Sequence, residues 1–475
     1  MLDGTSTPTE SVAPELPLLA GSPAVRAPGF LISVADDGLR REAYLRLRHS
    51  EFVNRQGLFA WTDRDEIDDD PRTVVLVATD GTGTVFGGVR VAPCTTPEIG
   101  WWSGGRLVTA AGAARGVGAA LIRAACAYVE GRGALRFDAT VQDRYVPLFT
   151  SNGWTDIGAA STIRGRRHRR MTWPIGRIQA LADGTKAVLA EALAPFATAP
   201  GGLGPAGFRG DDGVPVPGTD VIAACDAILP SMVERDPEWA GWCSVLVNLN
   251  DVSSMGAQPL GLLDAVGAST RSQLTRIVRG ISNAASAWRV PVLGGHTQVG
   301  VPAALAVTAL GQTSAPVPAS GGEVGHTVSL VADLGGSWRP GYRGHQWDSS
   351  SSRTSDDLVR LSSIVRDLGP AAAKDVSMTG IVGTLGMLAE ASGTGAELDV
   401  AAVPRPEGVE MGSWLTCFPG YAMIVADQAP LTEAPGPAVA SGCGRLTSAP
   451  GVRLRWPDGQ TTIAIRSTVT GLGRG

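Results

Sequence analysis

The stretch Ser244-Val-Leu-Val-Asn-Leu-Asn-Asp-Val-Ser-Ser-Met-Gly-Ala-Gln-Pro-Leu260 decides how the second half of the chain is read. An apolar run ends in a carboxylate, Asp251, and a Gly-Ala pair follows at Gly256. A buried helix or strand that presents one acid at its end suits a metal-bound phosphate. Mg2+ takes oxygen ligands and keeps several waters, so one or two carboxylates besides the phosphates suffice. Such chemistry predicts isolated Asp residues at strand and loop ends, near glycines. They occur in Gly210-Asp-Asp-Gly213 and in Cys225-Asp226, and a Gly-Gly-His-Thr turn is expected at 294–297. Any one of these acids would serve equally well as a cap or turn residue; the four pieces together read as one ATP–Mg2+ site.

The chain has 475 residues, which points to several domains rather than one core. Its 44% hydrophobic and 18% charged content describes a soluble globular protein. Net charge is -5, and Arg164-Gly-Arg-Arg-His-Arg-Arg170 is the one basic run, so no nucleic-acid partner is expected. The six cysteines show no CxxC spacing and read as scattered, mostly buried thiols of a reducing compartment. Glu10 and Glu15 and the lack of a basic start argue against a signal peptide. No apolar run reaches about 18 residues, so no membrane span and a cytoplasmic location are expected.

Residues 1–28 are rich in Pro, Ala, Ser and Thr and read as a disordered tail. A first domain is expected over 29–176, with a helix at 39–56, strands at 73–79, 87–91, 106–109 and 135–141, and helices at 119–132 and 145–151. A helix at 177–196 and a flexible loop at 199–207 form the connection, 177–205. A second domain over 206–320 ends in a Pro/Ser/Gly linker at 313–322. A third covers 321–475, with helices at 356–368 and 380–391 and strands around 414–426.

In the first domain, Arg115-Gly-Val-Gly118 falls between a strand and a helix. Glycines let a backbone approach a phosphate, and a helix start supplies free N–H groups and the positive dipole end. The surroundings resemble the GNAT acyltransferases. The resemblance rests on Gly105-Arg-Leu-Val-Thr109, Ala113-Ala-Arg-Gly-Val-Gly118, the strand at 137–141 and Tyr145-Val-Pro-Leu-Phe-Thr-Ser-Asn-Gly-Trp154. His168 to Met171, Leu58-Phe59 and Asp63-Arg-Asp-Glu-Ile-Asp68 are similar to a subgroup loosely related to acyl-homoserine-lactone synthases. The resemblance implies acetyl-CoA, or another acyl-CoA, held at Arg115, Gly116, Val117, Gly118 and Ala119, with Val108 beside the pantetheine arm. Ala113 replaces the family's usual Gln or Arg, and Phe149 its frequent general-acid Tyr. Tyr145, one turn earlier, is the substitute acid, and Glu98, Asp63 or Asp65 the candidate bases.

The second half resembles the AIR synthase (PurM-like) superfamily, which includes thiamine-monophosphate kinase, selenophosphate synthetase and HypE-type proteins. The landmarks are Gly210-Asp-Asp212, Cys225-Asp-Ala-Ile228, Asn250-Asp-Val-Ser-Ser-Met-Gly-Ala257, Gly294-Gly-His-Thr297 and Lys374-Asp-Val-Ser-Met-Thr-Gly380. The resemblance implies metal ligands Asp212, Asp226 and Asp251. It implies nucleotide contacts at Asn250, Gly294, Gly295 and His296, and a catalytic Asp375 reaching the site from the C-terminal half. Lys374 would touch a phosphate or form a surface pair. The stretch 199–209 lacks the Cys and Lys of the selenophosphate enzymes, which argues against selenium chemistry. The family's paired barrel implies a homodimer through this half.

The expected architecture is therefore a multidomain α/β and α+β chain, a GNAT fold followed by a PurM-like two-part ATP-binding fold. The expected function is a bifunctional biosynthetic enzyme, an N-acyltransferase fused to an ATP-dependent domain acting on a small nitrogenous metabolite. Two alternatives stand beside it: a small-molecule kinase resembling thiamine-monophosphate kinase with a degenerate GNAT domain, and a non-catalytic CoA or nucleotide sensor.

Overall fold

The computed structural model describes residues 29–342 and 344–475, so the expected tail at 1–28 lies outside the described residues. Two compact units are present. One comprises 29–91, 104–125 and 162–166, and the other 92–103, 126–161 and 167–475.

In the first unit, Asp37 caps the helix Gly38–Arg48 by accepting from the Arg40 N–H at 2.7 Å. A π-helical segment, His49–Arg55, continues it. The strand Leu31–Val34 pairs antiparallel with Val74–Thr79, which pairs antiparallel with Val85–Pro93. The buried core joins Tyr44 and Phe52 of the helical segment to Val75, Val77 and Val108.

The second unit contains an antiparallel set in the order Arg136–Gln142, His168–Trp173, Thr155–Ala159. A five-stranded sheet runs Val292–Val299, Gln258–Ala268, Ala304–Gln312, Val221–Ala227, Val214–Pro215; its first pair is parallel and the rest antiparallel. The helices Pro237–Ser254 and Arg271–Trp288 share its apolar core, through Val245, Leu249 and Val252 of one and Ile277 and Ile281 of the other. Two glycines set how closely these helices approach. A methyl group at Gly241 would sit 2.2 Å from Ile277 O, and one at Gly280 2.0 Å from Glu238 O. A seven-stranded sheet runs Ala372–Asp375, Ala422–Asp427, Thr327–Asp333, Ala438–Thr447, Gly395–Asp399, Val452–Arg455, Thr461–Ile465. The helix Ser355–Leu368 shares one core with it and Gly380–Ala391 another. The second of these cores also takes in Ile99, Leu135, Ile178 and Ala182. Among the described residues no helix is long and apolar enough to cross a membrane.

Four expectations are corrected. The helix expected at 177–196 is two helices, Arg177–Thr185 and Leu189–Ala197. Gly184 weakens the helix where it ends, and the Thr185 hydroxyl donates to Leu181 O at 2.7 Å, competing for a helical carbonyl. The linker at 313–322 is packed: Val317 and Ala319 are buried, and their N–H groups donate to Met255 O and Asp211 Oδ2. Trp414 lies in a helix, Met411–Thr416, with its indole N–H on Pro404 O at 2.9 Å, and the strand proper is Ala422–Asp427. Gly294-Gly-His-Thr297 is no turn but part of the strand Val292–Val299. Neither glycine has a positive φ, and Gly295 lies opposite Asp264, whose carboxylate leaves no room for a side chain there.

Candidate functional site

The helix Pro237–Ser254 carries Asp251 in its last turn. Pro237 opens the helix where a missing N–H costs nothing, and Gly256, with φ 67°, lets the chain turn away after it. Asp212 follows the Gly210-Asp211 turn, and Asp375 ends the strand Ala372–Asp375. One carboxylate oxygen from each of Asp212, Asp251 and Asp375 lies within 4.8 Å of the other two. Asp212 Oδ2 accepts from Ser254 Oγ and from the Asp375 N–H, both at 2.8 Å. Its Oδ1 is paired with the buried Lys374 ammonium, which also lies 3.8 Å from Asp211 Oδ1. Asp211 Oδ2 accepts from the Ala319 N–H at 2.8 Å.

This crowd of acids shifts its own titration. Burial, then the charges of Asp375, Asp226 and Asp212, holds Asp251 well above the usual carboxylate range. Burial and then Asp212 do the same to Asp375. Burial raises Asp211 to about 6 against the pull of Lys374. Burial alone would lower Lys374; Asp212 and Asp211 outweigh it and keep the ammonium charged. One lysine cannot neutralise Asp211, Asp212, Asp251 and Asp375. A hard divalent cation fits the all-oxygen donor set and would relieve that repulsion.

Asp226, on the strand Val221–Ala227, stays outside the three-carboxylate group but within its field. Its main-chain N–H donates to Asn248 Oδ1 at 3.0 Å, and its carboxyl is raised by burial, with Lys186 the first charge opposing that rise. Asn250 is buried and donates to Gly420 O at 3.2 Å, so part of its amide is spent on the fold. Gly294, Gly295 and His296 lie on the exposed edge strand, His296 opposite Ala265, and His296 is not in the acid group. Sequence reasoning gave Asp375 a catalytic part; the geometry places it among the possible ligands. It missed the Ser254 and Ala319 contacts, for which the chain carries no signal.

The residues singled out in the first third are arranged as follows. Val108 is buried at the end of the strand Trp101–Thr109. Gly112 and Gly116 take φ of 84° and 90°, and the helix Val117–Gly131 begins directly after them. Arg115 and Gly116 are exposed, Val117 is buried, and Gly118 and Ala119 are half-buried. Tyr145 is exposed, with the Arg144 guanidinium 4.6 Å from its ring centre, and Phe149 packs on Trp154. Burial raises the Glu98 carboxyl, which accepts from the Gly100 N–H, while its main-chain carbonyl accepts from Arg405. Asp63 and Asp65 are not free bases. Asp63 accepts from buried Arg48 at 2.6 Å, and Asp65 accepts from Arg90 and from Arg106. Burial would raise Asp65, but those guanidinium groups bring it below its ordinary value.

Residues 210–313 match the family of AIR synthase related proteins in its N-terminal domain, and 358–456 match the C-terminal domain. The first 200 residues match no family. The chain is 34% identical over 225 residues to the uncharacterized protein sll0787 of Synechocystis, covering 46% of this chain and 69% of that protein. It is 28% identical over 174 residues to a thiamine-monophosphate kinase of Methanospirillum hungatei, covering 35% of this chain and 58% of that enzyme. A solved thiamine monophosphate kinase from Aquifex aeolicus aligns with 53% of this chain and 92% of its own at 18% identity, with a TM-score of 0.41.

Proposed function

The chain belongs to the AIR synthase-related family through residues 210–313 and 358–456, and from that premise we propose that it is an ATP-dependent enzyme that phosphorylates or activates a small molecule. The observation that carries this reading is the convergence of Asp212, Asp251 and Asp375 within 4.8 Å, two of them held well above the usual carboxylate range. These three residues would hold Mg2+, which would supply charge neutralisation for the phosphates of ATP. Lys374 pairs with the Asp212 carboxylate, and Asp226 adds to the negative field from the neighbouring strand. Asn250, Gly294, Gly295 and His296 are assigned to the nucleotide side. The thiamine-monophosphate kinases among the relatives support a kinase acting on a small phosphorylated or nitrogenous metabolite. A homodimer through the five-stranded sheet accords with its exposed edge strand, where Val292, Leu293 and Val299 are 41%, 58% and 54% exposed.

A second reading gives residues 29–176 acyl-CoA binding, with Glu98 and Tyr145 as base and acid. Its support is local: the strand Trp101–Thr109, the positive-φ turn at Gly112 and Gly116, and the helix start at Val117 stand in the order a pyrophosphate cradle needs. In this reading 206–320 and 321–475 are the two halves of the ATP-dependent part.

Thermal melting with Mg2+-ATP tests the main reading. A ligand at about 100 times its Kd stabilises the folded state by about 2.7 kcal/mol, a rise of several degrees. The rise should disappear in Asp251→Asn. No rise in the wild-type chain, or an equal rise in the variant, sinks the assignment.

A further inference from the structure

The segment 469–475 lies outside both matched stretches and returns to the acid site. Its anchor is Glu390, buried in the helix Gly380–Ala391 that follows Asp375. The Glu390 carboxylate accepts four hydrogen bonds from this one segment. They come from Val469 N at 2.8 Å, Thr470 N at 2.9 Å, Thr470 Oγ1 at 2.9 Å and Gly473 N at 3.0 Å. The Gly475 N–H donates to Ala391 O at 2.9 Å, and Thr470 O accepts from the Ala190 N–H at 3.2 Å.

Between these anchors Leu472 rests on Gly210, the residue that leads into Asp211 and Asp212. Gly210 has φ 65°, and a methyl group there would sit 2.6 Å from Leu472 Cδ1; the three atoms nearest that point all belong to Leu472. The Asp212 carboxylate is itself held by Lys374, Ser254 and the Asp375 N–H. Its main chain enters from a glycine, the residue with the most backbone freedom.

We propose that Leu472 is a positioning residue for the acid site. By closing the space over Gly210 it fixes the turn that delivers Asp212, and through Glu390 the same segment ties that turn to the helix following Asp375. This rests on the reading of Asp212, Asp251 and Asp375 as cation ligands. Groups that orient ligands without touching the metal commonly set its affinity.

The test is Mn2+ binding to the full chain, followed by the electron paramagnetic resonance signal of free Mn2+, with melting temperatures recorded in parallel. Leu472→Ala should weaken Mn2+ binding about 10-fold at a temperature where the variant is fully folded, and Leu472→Met should restore it. A merely structural Leu472 would lower the melting temperature and leave the Mn2+ affinity unmoved. That result, or equal loss in Leu472→Ala and Leu472→Met, overturns the proposal. Should Leu472→Ala not fold, Leu472→Val carries the same comparison. If the wild-type chain itself binds no Mn2+, the cation reading fails, and the positioning role falls with it.

Discussion

The main-chain N–H of Asp375 donates to Asp212 Oδ2 at 2.8 Å, so an acid of the N-terminal matched stretch is held by the backbone of the C-terminal one. The neighbouring residue, Lys374, pairs with the other oxygen of the same carboxylate. One dipeptide thus fixes Asp212 through both oxygens, and the site exists only when the two stretches are folded together.

Lys374→Met should therefore expose the cation dependence of the fold. It leaves the buried carboxylates without their ammonium, and breaking a buried pair costs about 3–5 kcal/mol. Mg2+ should recover part of that loss. The melting temperature in chelator should fall well below that of the wild type, and the rise on adding Mg2+ should exceed the wild-type rise. An unchanged melting temperature in chelator would show that the acids do not need the lysine.

The shifted acids give a pH dependence with a definite sign. A carboxyl whose folded pKa is raised binds more protons folded than unfolded. Its contribution is present below the unfolded value and lost as pH rises through the folded one. For Asp211 the window runs from about 4 to about 6. Asp251 and Asp375 are raised as well, so they contribute to the loss with the same sign. Mg2+ competes with those protons, so the Mg2+-induced rise in melting temperature should grow from pH 5 to pH 8, as is general for ligands that need deprotonated groups. Asp251→Asn should flatten that growth. A rise independent of pH in the wild type contradicts the assignment.

Asp212 and Asp251 were legible because a lone acid beside a glycine or at the end of an apolar run breaks the local pattern, and such breaks are visible one residue at a time. The Lys374–Asp212 pair spans 162 positions and leaves no local trace. The stretch at 313–322 has the composition of a linker, yet its Ala319 N–H holds Asp211; composition reports irregular backbone and says nothing of packing. Gly294-Gly295 looked like a turn because adjacent glycines usually are. Here Asp264 on the paired strand excludes a side chain at Gly295. Leu472 carries no signal at all, since an isolated leucine between glycines does not announce a contact with Gly210.

Gly116 tests the second reading. Its φ of 90° is one that L side chains rarely adopt, and its exposed backbone leads into the first turn of a helix. If that turn cradles a pyrophosphate, acetyl-CoA should raise the melting temperature of the wild-type chain, and Gly116→Asp should remove the rise through both backbone strain and added negative charge. Calorimetric titration with acetyl-CoA provides the affinity. No heat and no shift in the wild type would leave the acyl-CoA reading without support.

The helix Pro237–Ser254, which carries Asp251 in its last turn, approaches Arg271–Trp288 closely near its start, at Gly241 and Gly280. A methyl group at Gly280 meets Glu238 O at 2.0 Å, a backbone atom that cannot step aside cheaply. Gly280→Ala should cost about 1–3 kcal/mol, as overpacking does. Denaturant unfolding measures it; a neutral result would mean that the helices separate without strain.

The last relationship concerns Arg136, which is 5% exposed and forms a two-pronged ion pair with Asp458 across 322 positions, at 2.9 and 2.8 Å. Its Nε also bonds Asp138 at 2.6 Å, and its guanidinium carbon lies 4.2 Å from the Trp101 ring centre and 5.7 Å from that of Trp456. Asp458→Ala leaves that charge buried with half its partners, and breaking such a pair costs about 3 kcal/mol. Asp458→Asn, which keeps the shape and part of the hydrogen bonding, should cost less. The same contacts predict that a chain starting near residue 206 will be poorly soluble. It would lose Arg136 from beside Trp456 and expose the core that Ile99 and Leu135 share with Leu454 and Trp456. Unfolding curves for the two variants, with the solubility of the truncated chain, check both. A truncated chain that melts as cooperatively as the full one would show that these buried contacts add nothing to the stability of the second half.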